Sequence, residues 1–158
     1  MRGNEKVIEQ LNAALSSELT AIVQYMVQSE MCSNWGYARL GGELKKQAVE
    51  EMHHAEGLIE RILFLDAIPA VKVGLQPKLG ANVKAHLDDD LTDEKDAVRQ
   101  YNAAAKICLD AGDNGSRELF ESLLKDEEEH TDHLERQLHA LGEMGMQNYL
   151  AQQLKADK

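Results

Sequence analysis

Shifted along itself by 76 residues, the sequence falls back onto its own pattern, and this constrains the possible folds more than any other feature. Glu18 lands on Glu94, Tyr25 on Tyr101, Cys32 on Cys108, Glu51 on Glu127, His54 on His130 and Leu58 on Leu134. Apolar positions follow the same offset: Val7 with Val83, Leu11 with Leu87, Ile22 with Val98, Leu65 with Leu141. Such a chain is expected to form two similar helical hairpins related by an approximate two-fold axis. Whatever one half presents to that axis, the other presents again.

Turn signals divide the chain into four long helical patterns. The first runs from about Asn4 to Asn34 and stops near Trp35-Gly36; the second starts after Gly41-Gly42 and continues to about Asp66. Residues 67–82, AIPAVKVGLQPKLGAN, hold both prolines, so helix cannot continue through them. A third helix follows to about Ala111. After the tight turn Gly112-Asp113-Asn114-Gly115, a fourth runs from about Ser116 to Leu141, and the tail MQNYLAQQL has the pattern of a short fifth. The short connections make each flanking pair an antiparallel hairpin. The middle segment is long enough to reach roughly 50 Å when extended, more than the roughly 39 Å of a 26-residue helix. Helices two and three are therefore expected to run parallel. The fold expected is all-α: a four-helix bundle with one long crossover and a short C-terminal fifth helix, in a single domain spanning residues 1–158.

Periodicity identifies the inward face of each helix. Val7, Leu11, Ile22, Tyr25 and Cys32 share a stripe with Glu18 at its centre. In the second helix Leu44, Ala48, Ala55, Leu58 and Ile62 surround Glu51; in the third Leu87, Val98 and Tyr101 flank Glu94; in the fourth Phe120, Leu123 and Leu134 flank Glu127. Each apolar stripe is thus interrupted by one glutamate near mid-helix. The cluster VEEMHHAE offers two overlapping Glu-x-x-His readings, Glu50 with His53 and Glu51 with His54. His53 lies about 160° around the helix from Glu51, so Glu51 and His54 are the inward pair. The repeat selects Glu127 and His130 independently, leaving Glu128 and Glu129 facing outward.

A layer of four buried carboxylates must be neutralised by protons or cations. The stripes carry no Lys or Arg. Two imidazoles beside four carboxylates supply the nitrogen and oxygen donors of a two-metal site. One Glu from each of two helices, with Glu-x-x-His from each of the others, is the ligand pattern of bundle-borne di-iron centres. Glu51 follows Glu18 by thirty-three residues, and Glu127 follows Glu94 by the same interval. The alternative is a metal-free hydrogen-bonded layer of the same six groups. Tyr25 and its counterpart Tyr101 are placed to hydrogen-bond a ligand or supply an electron, with aromatic packing as the alternative role.

The bulk composition narrows the function further. A formal net charge of −11 argues against nonspecific nucleic-acid binding. There is no apolar run of the ~20 residues needed to cross a bilayer, and MRGNEKVIEQ lacks the apolar core of a secretory signal. A cytoplasmic protein is expected. Cys32 and Cys108 fall at opposite ends of the bundle as core thiols, too far apart for a disulfide. His53, His86, His133 and His139, which lack partners in the repeat, are expected at the surface. Val49, Met52, Ile59 and Leu63, with Leu19, Val23 and Met26 on the first helix, form a second apolar stripe that suits an interface between subunits.

Along essentially its whole length, from MRGNEKVIEQLN through SELTAI, EEMHHAE, ERILFLD and DEEEH to MQNYLAQQL, the chain resembles the bacterioferritins. The resemblance implies a ferroxidase di-iron centre of Glu18, Glu51, His54, Glu94, Glu127 and His130, with Glu51 and Glu127 bridging. It implies a homo-oligomeric shell of twenty-four subunits in which Fe²⁺ is oxidised by O₂ or peroxide and stored as ferric mineral. It also implies haem b shared between two subunits, held by Met52 of each, and a bacterioferritin-associated ferredoxin as the partner that releases iron. Lys46 stands where many members carry a histidine serving iron on the inner wall. Protonated, it cannot be that ligand, which leaves Glu50 as the inner-surface partner. Val23 occupies a position that is polar in many relatives. A soluble di-iron oxidase or peroxidase without mineral storage is the alternative. A DNA-coating mini-ferritin would need a basic arm, which is absent from the sequence.

Overall fold

The computed structural model describes residues 1–71 and 76–155. They form five helices: α1 (Glu5–Asn34), α2 (Ala38–Phe64), α3 (Val83–Asp110), α4 (Asn114–Met144) and α5 (Met146–Ala151). Asn4 caps α1 by accepting from the Lys6 and Val7 amides, Asn82 caps α3 through Ala85, and Asp113 caps α4 through Ser116. Gly36 and Gly112, 76 residues apart, have φ of 96° and 71° and close the two hairpin turns in a conformation that a Cβ disfavours.

The Gly41-Gly42 pair, expected to precede α2, lies inside it, and the turn is only Trp35 to Tyr37. Glycine serves a different purpose here. A Cβ on Gly41 would sit 2.3 Å from Ser33 Oγ and 3.0 Å from the Ser29 carbonyl oxygen of α1. The Ser29 hydroxyl donates to the Gly41 carbonyl at 2.6 Å, so the glycine permits close approach of two helices. The fourth helix begins at Asn114 instead of Ser116, because Asp113 takes the capping position.

α1 packs along α2 and α3 along α4, and the two pairs meet through α1–α3 and α2–α4 contacts. The Gly3 amide donates to the Leu65 carbonyl, which ties the start of α1 to the end of α2. Trp35 stacks on His86 at 5.4 Å, which sets the end of α1 against the start of α3. The helices α2 and α3 therefore start at the same end and run parallel, and the intervening connection travels the length of the bundle. Residues 72–75, within the 67–82 connection expected from sequence, lie outside the described residues. No helix among the described residues is long and apolar enough to cross a membrane.

The core is divided. One apolar cluster, with Leu11, Leu58, Ile62 and Phe120, fills one half of the bundle; another, with Leu44, Leu87, Leu134 and Tyr149, fills the other half. Between them lie the four glutamates. Cys32 and Cys108 are buried free thiols. His53, His133 and His139 are exposed, but His86, expected at the surface, is 2% exposed. Its Nε2 donates to the Gly80 carbonyl at 2.7 Å and its ring covers Trp35. Burial lowers its pKa, and the neutral imidazole packs as an aromatic.

A second polar group is buried beside α1. Gln24 and Gln28 each donate an amide N–H to Asp90 Oδ1 at 2.8 Å. Among the described residues, Asp90 Oδ2 and Gln28 Oε1 have no hydrogen-bond partner. Burial pushes the Asp90 carboxyl up to about 7 against the lowering effect of those amides. A folded-state pKa raised above the unfolded value costs stability as pH rises from the unfolded value through the folded one, here from about 4 to about 7. Asp90→Asn is expected to flatten that fall and to gain about 1–3 kcal/mol at pH 8. Denaturant unfolding at pH 5 and pH 8 checks both effects, and equal slopes in the two proteins would exclude Asp90 as the source.

Candidate metal centre

The four mid-helix glutamates meet in one layer and are at most 4% exposed, with His54 at 8%. His54 of α2 and His130 of α4 stack beside the layer, with ring centroids 6.2 Å apart. His54 Nδ1 lies 2.9 Å from Glu51 Oε2, 3.1 Å from Glu127 Oε1 and 3.6 Å from Glu18 Oε1. His130 Nδ1 lies 3.2 Å from Glu127 Oε2, 3.3 Å from Glu51 Oε1 and 3.7 Å from Glu94 Oε1. Glu51 and Glu127 therefore direct one oxygen to each histidine, whereas Glu18 serves the His54 side and Glu94 the His130 side. All six sequence-derived candidates come together, in the two-fold arrangement that the repeat implies.

Two four-residue groups result: Glu18, Glu51, His54 and Glu127; and Glu51, Glu94, Glu127 and His130. Within each group the donor atoms lie within 4.8 Å of one another, so that each group could converge on one metal ion.

The charges also suit two cations. Burial raises the pKa of Glu18 well above the ordinary range, helped by Glu51; burial does the same to Glu94, helped by Glu127. Burial also opposes ionisation of Glu51 and Glu127, but hydrogen bonds from the neighbouring glutamate and both imidazoles outweigh it and lower their pKa values. For His54 and His130 burial favours the neutral ring, yet three carboxylate hydrogen bonds each hold the imidazolium far above its usual range. These directions favour protons on both imidazoles and on Glu18 and Glu94, with Glu51 and Glu127 ionised, an arrangement in which the charges of the metal-free layer balance. Two divalent ions replacing those four protons leave the charge unchanged, so the donor set fits a metal pair.

Supporting groups hold each donor in place. The Tyr25 hydroxyl donates to Glu94 Oε1 at 2.5 Å, and the Tyr101 hydroxyl donates to Glu18 Oε1, each bond crossing between α1 and α3. Tyr25 is therefore a neighbour of one donor carboxylate in addition to being core. His54 Nε2 pairs with Asp126 Oδ2 at 2.9 Å and His130 Nε2 with Glu50 Oε2 at 2.8 Å. Each imidazole is thus turned with Nδ1 inward, the arrangement by which outer carboxylates orient metal-binding histidines. Sequence reasoning missed Asp126, although the offset of 76 carries Glu50 onto it. It also missed Gln47, whose Nε2 donates to Glu51 Oε1 at 3.1 Å and lies 2.8 Å from His130 Nδ1.

A cavity of about 340 Å³ opens between α1 and α3 and reaches all four glutamates. Its walls include Gln24, Gln100, Asp93 and Asp96, and Lys78 pairs with Asp93 at 2.6 Å. On α2 and the adjoining face of α1, Met26, Val49, Met52 and Leu63 are between 43% and 56% exposed, an apolar surface that the described residues do not cover.

A family model described as a ferritin-like domain matches residues 8–144. Among curated proteins, the bacterioferritin of Brucella melitensis is 43% identical over 94% of this chain and 92% of its own length. The bacterioferritin of Rhodobacter capsulatus is 42% identical with the same coverage, and that of Mycolicibacterium paratuberculosis is 36% identical over 96% of both chains.

Proposed function

Because this chain belongs to the bacterioferritins, within the ferritin-like family, we propose that it stores iron by oxidising Fe²⁺ at its paired metal positions. The observation that carries the reading is the buried, two-fold layer of four carboxylates and two imidazoles, whose donor atoms converge in two groups that could each hold a metal ion. Fe²⁺ is the substrate. Two ions held side by side yield two electrons together, which with two protons reduce one O₂ to H₂O₂, or one H₂O₂ to two waters. Glu18, Glu51, His54, Glu94, Glu127 and His130 bind the pair, and Glu51 and Glu127 span it. Carboxylate oxygen, a hard anionic donor, favours the ferric product. Tyr25 and Tyr101 hold the terminal carboxylates, while Asp126 and Glu50 keep the imidazole Nδ1 atoms aimed inward. The α1–α3 cavity offers a route for iron and oxidant.

The wider reading is a cytoplasmic homo-oligomeric shell of twenty-four subunits, each chain one ferritin-like domain, with a bacterioferritin-associated ferredoxin as reductant for release. The exposed apolar stripe around Met52 suits a two-fold contact between subunits. A thioether there fits haem b, which would supply an electron path. Wild type is expected to show haem Soret absorbance at about one haem per two chains, and Met52→Leu to lose it without disturbing assembly. Retained haem in that variant would move the ligand elsewhere.

Aerobic addition of Fe²⁺ to metal-free protein tests the main reading. Fast oxidation of about two irons per chain, followed by continued uptake of many more, is expected. Saturation at two would favour a soluble di-iron oxidase, and no oxidation would leave a purely structural layer.

A further inference from the structure

The two halves of the metal layer carry the same donor residues but differ in a neighbour that touches them. His130 Nδ1 lies 3.3 Å from Glu51 Oε1, and the matching pair, His54 Nδ1 with Glu127 Oε1, lies at 3.1 Å. Among the described residues, only the first pair has a side-chain amide against it. Gln47, one turn before Glu51 on α2, donates to Glu51 Oε1 at 3.1 Å and contacts both His130 ring nitrogens, at 2.8 and 3.0 Å. The residue 76 positions later is Leu123, which is 3% exposed within an apolar cluster and has no donor to offer Glu127.

Resting on the two-metal reading above, we propose that Gln47 makes the two positions unequal, so that the His54 position fills first and the His130 position second. A carboxylate oxygen that accepts an N–H is a weaker donor to a cation, because the same electron density is shared. Glu51 Oε1 faces the His130 position, and Glu51 Oε2, which faces His54, takes no bond from Gln47. The amide also presses on the ring that must supply Nδ1. A cation entering there must loosen two contacts of Gln47; one entering beside His54 loosens none. The contacts to the terminal glutamates and outer imidazole nitrogens are paired across the layer: Tyr101 holds Glu18 as Tyr25 holds Glu94, and Asp126 holds His54 as Glu50 holds His130. Gln47 is a positioning residue that sets the order of loading.

The test uses Co²⁺, followed by visible absorbance and calorimetry, on metal-free wild-type protein and on Gln47→Leu, which installs the residue found in the other half. Wild type is expected to bind two ions per chain in separate steps, the second about tenfold weaker. In Gln47→Leu the second step should tighten about tenfold and merge with the first. Gln47→Glu, which keeps the side-chain length and removes the donor, should also tighten it, so the result does not depend on one variant folding. Anomalous scattering from crystals loaded with one equivalent should place cobalt beside His54. Equal steps in wild type, an unchanged separation in both variants, or first cobalt beside His130 would each overturn the proposal while leaving the metal pair intact. Failure to bind any cobalt would overturn the two-metal reading itself.

Discussion

Glu51→Ala is expected to slow the fast phase of Fe²⁺ oxidation by at least about a hundredfold, and Glu127→Ala to do the same, with helical content and assembly unchanged. Each of these carboxylates gives one oxygen to each histidine side, so its loss weakens both metal positions at once. The folded chain tolerates the loss because Glu18 and Glu94, protonated beside the missing charge, can ionise in its place. Glu129→Ala, on the exposed side of the same helix, should oxidise iron at the normal rate. Stopped-flow absorbance separates these outcomes. A normal rate in Glu51→Ala would show that iron is oxidised somewhere other than this layer.

Loading the layer with divalent metal should release about four protons per chain, two for each ion. Glu18, Glu94, His54 and His130 all have pKa values shifted upward, which favours a proton on each until a cation replaces it. The sign follows directly: raising pH favours the deprotonated, metal-bound form. While these groups remain protonated in the free protein, apparent affinity should climb about a hundredfold per pH unit for each ion. An indicator dye in weak buffer, read during anaerobic Fe²⁺ addition, counts the protons. Release of fewer than one proton per ion would mean that the free layer is not the neutral arrangement described above.

The sequence carried the bundle and the meeting of the six candidate donors in one layer because both are periodic. A glutamate at the centre of an apolar stripe must be buried, and the offset of 76 tested each assignment twice. Features set by contacts between helices were harder to read. Gly41-Gly42 resembles a turn in any local window; only the neighbouring α1, with Ser29 and Ser33 against Gly41, explains glycine there. His86 has no repeat partner, and its burial depends on the Gly80 carbonyl and the Trp35 ring, neither of which helical periodicity can locate. Asp126 was within reach, since the same offset links it to Glu50. Gln47 was not, because its contribution lies in departing from the symmetry that made the rest legible.

That symmetry has a consequence for how the chain tolerates change. Asp126 and Glu50 restrain opposite imidazoles, Tyr25 and Tyr101 opposite glutamates, and Gly36 and Gly112 close opposite turns. If every substitution were scored for retained metal loading, the profile of the first half should correlate with that of the second at a lag of 76 residues. The correlation should fail where the halves diverge, at residue 47 against 123 and at residue 90 against 14, where a buried aspartate faces an alanine. Selection acting on one half of such a chain is informative about the other, and the failures of that correspondence mark where the duplicated halves have acquired separate duties.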